Sequence, residues 1–129
     1  MLLIKLYGGD HSEGTLQFMR SINVSYIDEA CYIVIEGDIE FNDSGRVLET
    51  INGVMSKHHP KIVIDLGNCK YIDSLGLSTI NQAYNIAKKN EKQLVLCNID
   101  KDCEDILFMT TLWNRVPIFK DLDSCLKSN

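Results

Sequence analysis

The chain has 129 residues, of which 45% are hydrophobic and 24% are charged, and its formal net charge is -5 at pH 7. This length fits one globular domain whose single core needs no disulfide or metal for stability. Because general nucleic-acid binding requires clustered positive charge, the acidic balance argues against a nucleic-acid partner.

The cysteines predict neither a disulfide framework nor a zinc site, because there are five of them and no pair has C-x-x-C spacing. We expect free thiols, as in a reducing cytosol, with Cys31 and Cys97 buried as small hydrophobes. No apolar run approaches the ~20 residues that a membrane helix needs. The N-terminus also lacks the basic region of a signal peptide. The sequence therefore predicts a cytoplasmic protein with no membrane insertion, metal or cofactor.

The first 18 residues differ from the rest of the chain. MLLIKLY could form a short edge strand or a tail, and the polar stretch GGDHSEG after it is typical of a loop. Met19 is an alternative start, because regular patterns begin just after it. We therefore predict an N-terminal extension at residues 1–18 and one domain at residues 19–129.

From Ser21 onward, strand and helix patterns follow one another. SINVSYID alternates apolar and polar residues, CYIVIEG is a continuous β-branched run, and the turn between them predicts a hairpin. Helical spacing then predicts a helix from about Asp43 to Lys57, which ends at the HHP stop. The later predicted elements are a strand at KIVIDL, a helix that begins near Ser74 and ends in KKNEK, a strand at QLVLCN, a helix at KDCEDILFMTTL, a short strand at VPIF and a helical turn or two at DLDSCLKS.

This order of elements predicts an α/β fold with a mixed sheet of four or five strands and helices packed chiefly on one face. Pro117 confines the VPIF strand to a sheet edge or to the start of a strand. The residues expected to form the core are Ile33, Ile35, Val63, Ile64, Leu66, Leu77, Ile80, Leu94 and Leu96.

The most informative segment is KIVIDLGNCKYIDSLGLSTI, in which a buried strand, a short loop and a helix follow one another directly. In α/β sheets, ligands and partners bind at the carboxyl ends of strands. A hydroxyl at Ser74 would lie near the positive end of a helix dipole, where free backbone N–H groups tolerate a phosphate. Asp73 and Ser74 could instead be simple helix caps, although neither has the Glu or Gln that completes a capping box.

The same segment resembles the STAS family, which is named for sulfate transporters and anti-sigma-factor antagonists. The antagonists show a D-S-x-G-L motif that opens a helix, and this chain has DSLGL at residues 73–77. Upstream, EGDIE resembles the family's G-E-L-D-like turn, and downstream QLVLCNID resembles its V-L-x-N strand. The resemblance extends from about Ser21 to the C-terminus.

The resemblance implies a STAS-like fold and a phosphorylation switch in bacterial transcription regulation. In the family, an anti-sigma factor with a serine-kinase fold phosphorylates the motif serine, here Ser74, and a serine phosphatase resets it. The unphosphorylated antagonist binds the anti-sigma factor and releases the sigma factor. The residues that the resemblance assigns to partner binding are Glu40, Asp73, Leu75 and Gly76. Glu40 stands where the family more usually has Asp, and Leu75 where a small or hydroxylated residue is common.

Other functions stay open at this level. A STAS scaffold or accessory module of the stressosome, chemotaxis or lipid-transport type would work without serine phosphorylation, and a nucleotide or small ligand could bind beside Ser74. Asp65 resembles a receiver-domain phosphoacceptor, but the acidic pair in IDEA leads into a strand, so a structural hydrogen-bonding role is favoured. His58 and His59 are expected to be solvated at a helix end. No catalytic constellation is present, so we do not expect an enzyme.

Removal of residues 1–18 should leave a folded domain, because a few residues of edge strand would add little to the core. Thermal unfolding followed by circular dichroism should retain a cooperative transition in the truncated chain. Loss of that transition would make the N-terminal segment integral to the fold.

Overall fold

The computed structural model describes residues 21–128, so the predicted N-terminal extension and Met19 lie outside the described residues. The described chain forms five strands and five α-helices, with a 3₁₀ turn at Phe41–Asp43. In chain order, the elements are β1 (Ser21–Ile27), β2 (Ala30–Glu36), α1 (Ser44–Val54), β3 (Lys61–Asn68), α2 (Ser74–Lys89), β4 (Gln93–Cys97), α3 (Lys101–Phe108), α4 (Leu112–Arg115), β5 (Ile118–Phe119) and α5 (Leu122–Lys127).

All five strands form one mixed sheet in the order β1-β2-β3-β4-β5. β1 and β2 form the predicted antiparallel hairpin, whose tight turn places Asp28 at a φ of 55°. The pairs β2–β3, β3–β4 and β4–β5 are parallel. β5 follows Pro117 and lies at the sheet edge, as the sequence predicts. No helix in the described part of the chain is long and apolar enough to cross a membrane.

The main core lies between the sheet and helices α1 to α4, while α5 covers part of the opposite face. The prediction that helices pack chiefly on one face is therefore confirmed. Eight of the nine predicted core residues are buried. Leu77 is the exception: it packs against the core but stays half-buried, at the end of the first turn of α2. All five cysteines are free and buried.

The prediction of one helix over KDCEDILFMTTL is wrong, because α3 ends at Phe108 and α4 begins at Leu112. The Thr110 hydroxyl donates a hydrogen bond to the Leu107 carbonyl at 2.7 Å and accepts one from the Leu112 N–H at 3.2 Å. A threonine that bonds its own backbone in this way competes with the helical pattern. Met109 consequently lies outside the helix and is 82% exposed.

Asp65 is a buried hydrogen-bonding residue at the end of β3, the role that the sequence predicts for it. Its carboxylate accepts hydrogen bonds from the Tyr32 hydroxyl, from Nδ2 of Asn98 at 2.7 Å and from the Gly67 N–H at 2.8 Å. Burial, together with the hydrogen bond and negative charge of Asp65, raises the pKa of the Tyr32 hydroxyl. The network links β2 and β3 to Asn98, the residue that follows β4.

Tyr32→Phe should lower the free energy of unfolding by about 1–3 kcal/mol, because it removes one donor from a buried carboxylate. Tyr26→Phe is the matched control, since Tyr26 is 45% exposed on β1. Removal of its hydroxyl should lower the free energy of unfolding by no more than about 0.5 kcal/mol. Urea denaturation of both variants measures the difference. Equal stability of the two variants would contradict a structural role for the Tyr32–Asp65 bond.

Candidate functional site

Two loops run side by side past the ends of β2 and β3. We call residues 37–43 the first loop and residues 69–73 the second loop. The Gly37 N–H donates to the carbonyl of Asn68 at 3.2 Å, and the Ile39 N–H donates to the carbonyl of Tyr71 at 3.1 Å. In return, the Asp73 N–H donates to the carbonyl of Ile39 at 3.2 Å. The loops therefore extend the parallel pairing of the strands to the start of α2.

Asp38 fixes the second loop from the first. Its side chain is buried, and its Oδ1 accepts hydrogen bonds from the N–H groups of Lys70 at 2.9 Å and Tyr71 at 3.1 Å. The preceding Gly37 has a φ of 111°, a backbone conformation that glycine adopts without steric cost. The first loop thus turns sharply after β2 and presents a carboxylate to the backbone of its neighbour.

Asp73 and Ser74 have separate positions at the start of α2. Asp73 is the N-cap, and its carboxylate accepts a hydrogen bond from the Gly76 N–H at 2.7 Å. Ser74 is the first residue of the helix and is exposed. The capping alternative therefore applies to Asp73 and not to Ser74, whose hydroxyl faces solvent beside the helix N-terminus.

Gly76 allows α2 to lie directly against the first loop. A Cβ atom on this residue would lie 2.6 Å from the carbonyl oxygen of Ile39 and 2.7 Å from Cγ2 of Ile72. Both distances are shorter than any normal non-bonded contact, and the closer one is to backbone. A glycine is therefore required wherever the helix start and the first loop are to pack in this way, which gives the DSLGL motif a physical reason for its glycine.

The site is strongly acidic. Partial burial and the nearby charges of Asp73, Asp38 and Asp43 raise the pKa of Glu40. Burial also raises the pKa of Asp43, against the opposing effect of the Glu40 N–H, which donates to its Oδ2 at 2.8 Å. The two loops thus bring Glu40 and Asp73 into the same electrostatic environment, where another negative charge would be repelled.

Two apolar side chains are exposed beside this acidic group. Leu75, in the first turn of α2, is 53% exposed, and Tyr71, in the second loop, is 48% exposed. Lys70 is exposed as well and lies 3.3 Å from a carboxylate oxygen of Asp100. Leu75 and Tyr71 are thus two exposed apolar residues within three positions of Ser74 in the chain.

Sequence reasoning missed two polar residues that support the site. Asp38 was treated only as part of a turn, although an Asp after Gly at the end of a buried strand is typical of a residue that bonds backbone groups. Thr79 is buried, donates to the Leu75 carbonyl at 2.8 Å and lies 2.6 Å from the Ser44 hydroxyl. It links the first turn of α1 to the second turn of α2, and no local pattern indicates a contact between residues so far apart.

Comparisons with known proteins agree with this fold. A family model described as STAS domain matches residues 21–125. An anti-sigma factor antagonist from Mycobacterium paratuberculosis has a TM-score of 0.73 at 21% identity, over 82% of this chain and 90% of that one. The cell fate determinant SpoIIAA of Bacillus, in its phosphorylated form, has a TM-score of 0.63 at 10% identity, over 83% and 98% of the two chains. A sulfate transporter family protein from Wolinella succinogenes has a TM-score of 0.71 at 14% identity, over 79% and 86%. At these identities the structural likeness shows the fold, and the predicted STAS-like fold is confirmed.

Gly76→Ala should lower the free energy of unfolding by about 1–3 kcal/mol, because the added methyl overlaps the Ile39 backbone and forces the loops apart. Gly53→Ala is the matched control, since a Cβ at this position in α1 meets no atom within 4 Å. It should raise stability by about 0.5–1 kcal/mol, as expected in a helix interior. Chemical denaturation compares the two, and a stabilising Gly76→Ala would contradict the close approach.

Proposed function

The chain belongs to the STAS domain family, and we propose that it is an anti-sigma-factor antagonist that is switched by phosphorylation of Ser74. STAS domains are typically non-catalytic regulatory modules, so the protein's task is to bind a partner. In this proposal the partner is an anti-sigma factor with a serine-kinase fold. The partner transfers the γ-phosphoryl group of ATP to the Ser74 oxygen, and a serine phosphatase removes it. The switch would act in the bacterial cytoplasm, where sigma factors direct transcription.

The observation that carries this proposal is the position of Ser74, which is exposed at the first position of a 16-residue helix and is not its cap. A kinase can reach such a hydroxyl without unfolding the domain. The capping bond between Asp73 and the Gly76 N–H does not involve Ser74. Phosphorylation should therefore leave the helix start intact, and the free N–H groups of the first turn favour the new negative charge.

The same position makes a phosphate disruptive for binding. It adds about -1.5 to -2 charge at neutral pH, next to Asp73 and in the acidic site where burial and the neighbouring carboxylates already raise the pKa of Glu40. A docked partner would have to desolvate this charge while covering the exposed side chains of Leu75 and Tyr71. Repulsion and desolvation both oppose docking, so phosphorylation would weaken the complex without unfolding the protein.

The partner-binding residues in this proposal are Glu40, Asp73, Leu75 and Gly76 around the serine, of which Gly76 is buried and acts through packing. Leu75 supplies apolar contact area, Glu40 and Asp73 supply the negative charge, and Gly76 keeps the first loop against the helix. Tyr71 adds a second exposed apolar side chain on the neighbouring loop. A partner for this surface should present an apolar contact with basic groups around it.

Ser74→Ala should bind the cognate anti-sigma-factor kinase with an affinity within about threefold of the wild type, but should accept no phosphate. Ser74→Asp should bind at least about tenfold more weakly, equivalent to about 1.4 kcal/mol. Both should melt within a few degrees of the wild type, because exposed substitutions change stability little. Calorimetric titration measures the affinities, and intact mass after incubation with kinase and ATP measures phosphate uptake.

Ser78→Asp is the matched control, because Ser78 is another exposed serine on α2, one turn further along the helix. It introduces the same charge one turn further from the two loops and should weaken binding less than Ser74→Asp does. Equal affinities for Ser74→Ala and Ser74→Asp, with no phosphate accepted by the wild type, would refute the switch. That result would leave a STAS scaffold or accessory module without serine phosphorylation.

A further inference from the structure

The second loop contains a buried thiol that contacts another thiol across the core. Sγ of Cys103, in the first turn of α3, lies 3.6 Å from Sγ of Cys69, and both residues are fully buried. Sγ of Cys103 also lies 2.9 Å from the Cys69 carbonyl, and Sγ of Cys69 lies 3.4 Å from the Tyr71 carbonyl. The sulfur atoms in a disulfide are about 2.0 Å apart, so this pair needs an approach of only roughly 1.6 Å.

We propose that Cys69 and Cys103 form a disulfide when the chain meets hydrogen peroxide, which makes this pair a site of reversible oxidative modification. The thiolate of one cysteine attacks peroxide, forms a sulfenic acid and releases hydroxide. The sulfur of the second cysteine then displaces the sulfenic hydroxyl group, which leaves as water with the remaining thiol proton. Overall, two thiols and one peroxide give one disulfide and two waters. A small dithiol reductant reverses the reaction.

Burial keeps this pair reduced until the second loop opens. The hydrogen bond with Cys69, together with burial, raises the pKa of the Cys103 thiol, so the folded state holds little of the reactive thiolate. Cys69, however, lies in the second loop. Two hydrogen bonds to Asp38, from the N–H groups of Lys70 and Tyr71, hold this loop in place. Loops open locally at a smaller free-energy cost than core strands do. Oxidation should therefore proceed through brief opening of the second loop.

A second pair of buried cysteines offers an internal comparison. Cys97, in β4, and Cys125, in α5, belong to one buried cluster on the opposite face of the sheet. Cys97 packs beneath α5, so its exposure requires this helix to detach from the sheet. The second pair therefore shows whether peroxide oxidises buried thiols that lie outside the second loop. The proposal does not depend on phosphorylation of Ser74.

The test treats the reduced full chain with hydrogen peroxide under native conditions, then unfolds it in N-ethylmaleimide and maps the peptides. The expected result is a Cys69–Cys103 disulfide, with the loss of two alkylation sites while Cys31 stays alkylated, and the recovery of both sites after dithiothreitol. Cys31→Ala should leave the rate of disulfide formation unchanged. Cys103→Ala should abolish the disulfide, and its melting curve checks that it folds; if it does not fold, the wild-type map decides alone.

Three outcomes would overturn the proposal. The first is recovery of Cys69 and Cys103 as alkylated thiols after prolonged peroxide treatment. The second is oxidation of Cys97 and Cys125 while Cys69 and Cys103 stay reduced, because it would show that peroxide oxidises buried thiols of this chain without forming the proposed disulfide. The third is loss of both thiols that dithiothreitol does not restore, which would indicate overoxidation instead of a disulfide.

Discussion

The candidate site depends on backbone pairing that continues after the strands have ended. The first and second loops exchange N–H to carbonyl bonds at Ile39, and Asp38 closes the pairing by accepting two N–H groups of the second loop. Gly76 then lets α2 start against the same stretch of backbone. Because each of these contacts involves main-chain atoms, they fix the backbone position of Ser74 at the start of α2.

Much of this architecture could be predicted from the sequence, because its strands and main helices have strong periodic patterns. The buried strands are continuous β-branched runs, and α1 and α2 carry apolar residues at helical spacing, so their order indicated a mixed sheet with helices chiefly on one face. The break between α3 and α4 was missed because it depends on the Thr110 hydroxyl, which bonds its own backbone where composition favours a continuous helix. Leu77 was placed in the core by helical spacing alone. Spacing does not show that Leu77 lies in the first turn of α2, where the helix is only partly covered.

The site was predictable only where its parts are local in sequence. Asp73 and Ser74 stand in one motif, yet their composition could not decide which residue caps α2; that depends on the backbone conformation, which is extended at Asp73. The support from Asp38 and the contact between Thr79 and Ser44 join residues that are distant in the chain. The approach of Cys69 to Cys103 is of the same kind. No pattern within a short window specifies such pairs, because they follow from the parallel register of the strands.

The exposed side chains of Leu75 and Tyr71 stand on a hydrogen-bonded backbone frame to which neither side chain contributes a hydrogen bond. Substitutions at these two positions can therefore change the exposed apolar side chains near Ser74 while the frame beneath them stays the same. Under the proposed function, such changes would let paralogous regulators of this architecture prefer different partners. The fold can thus diversify its partners through surface drift at a few positions, without a new scaffold for each pathway.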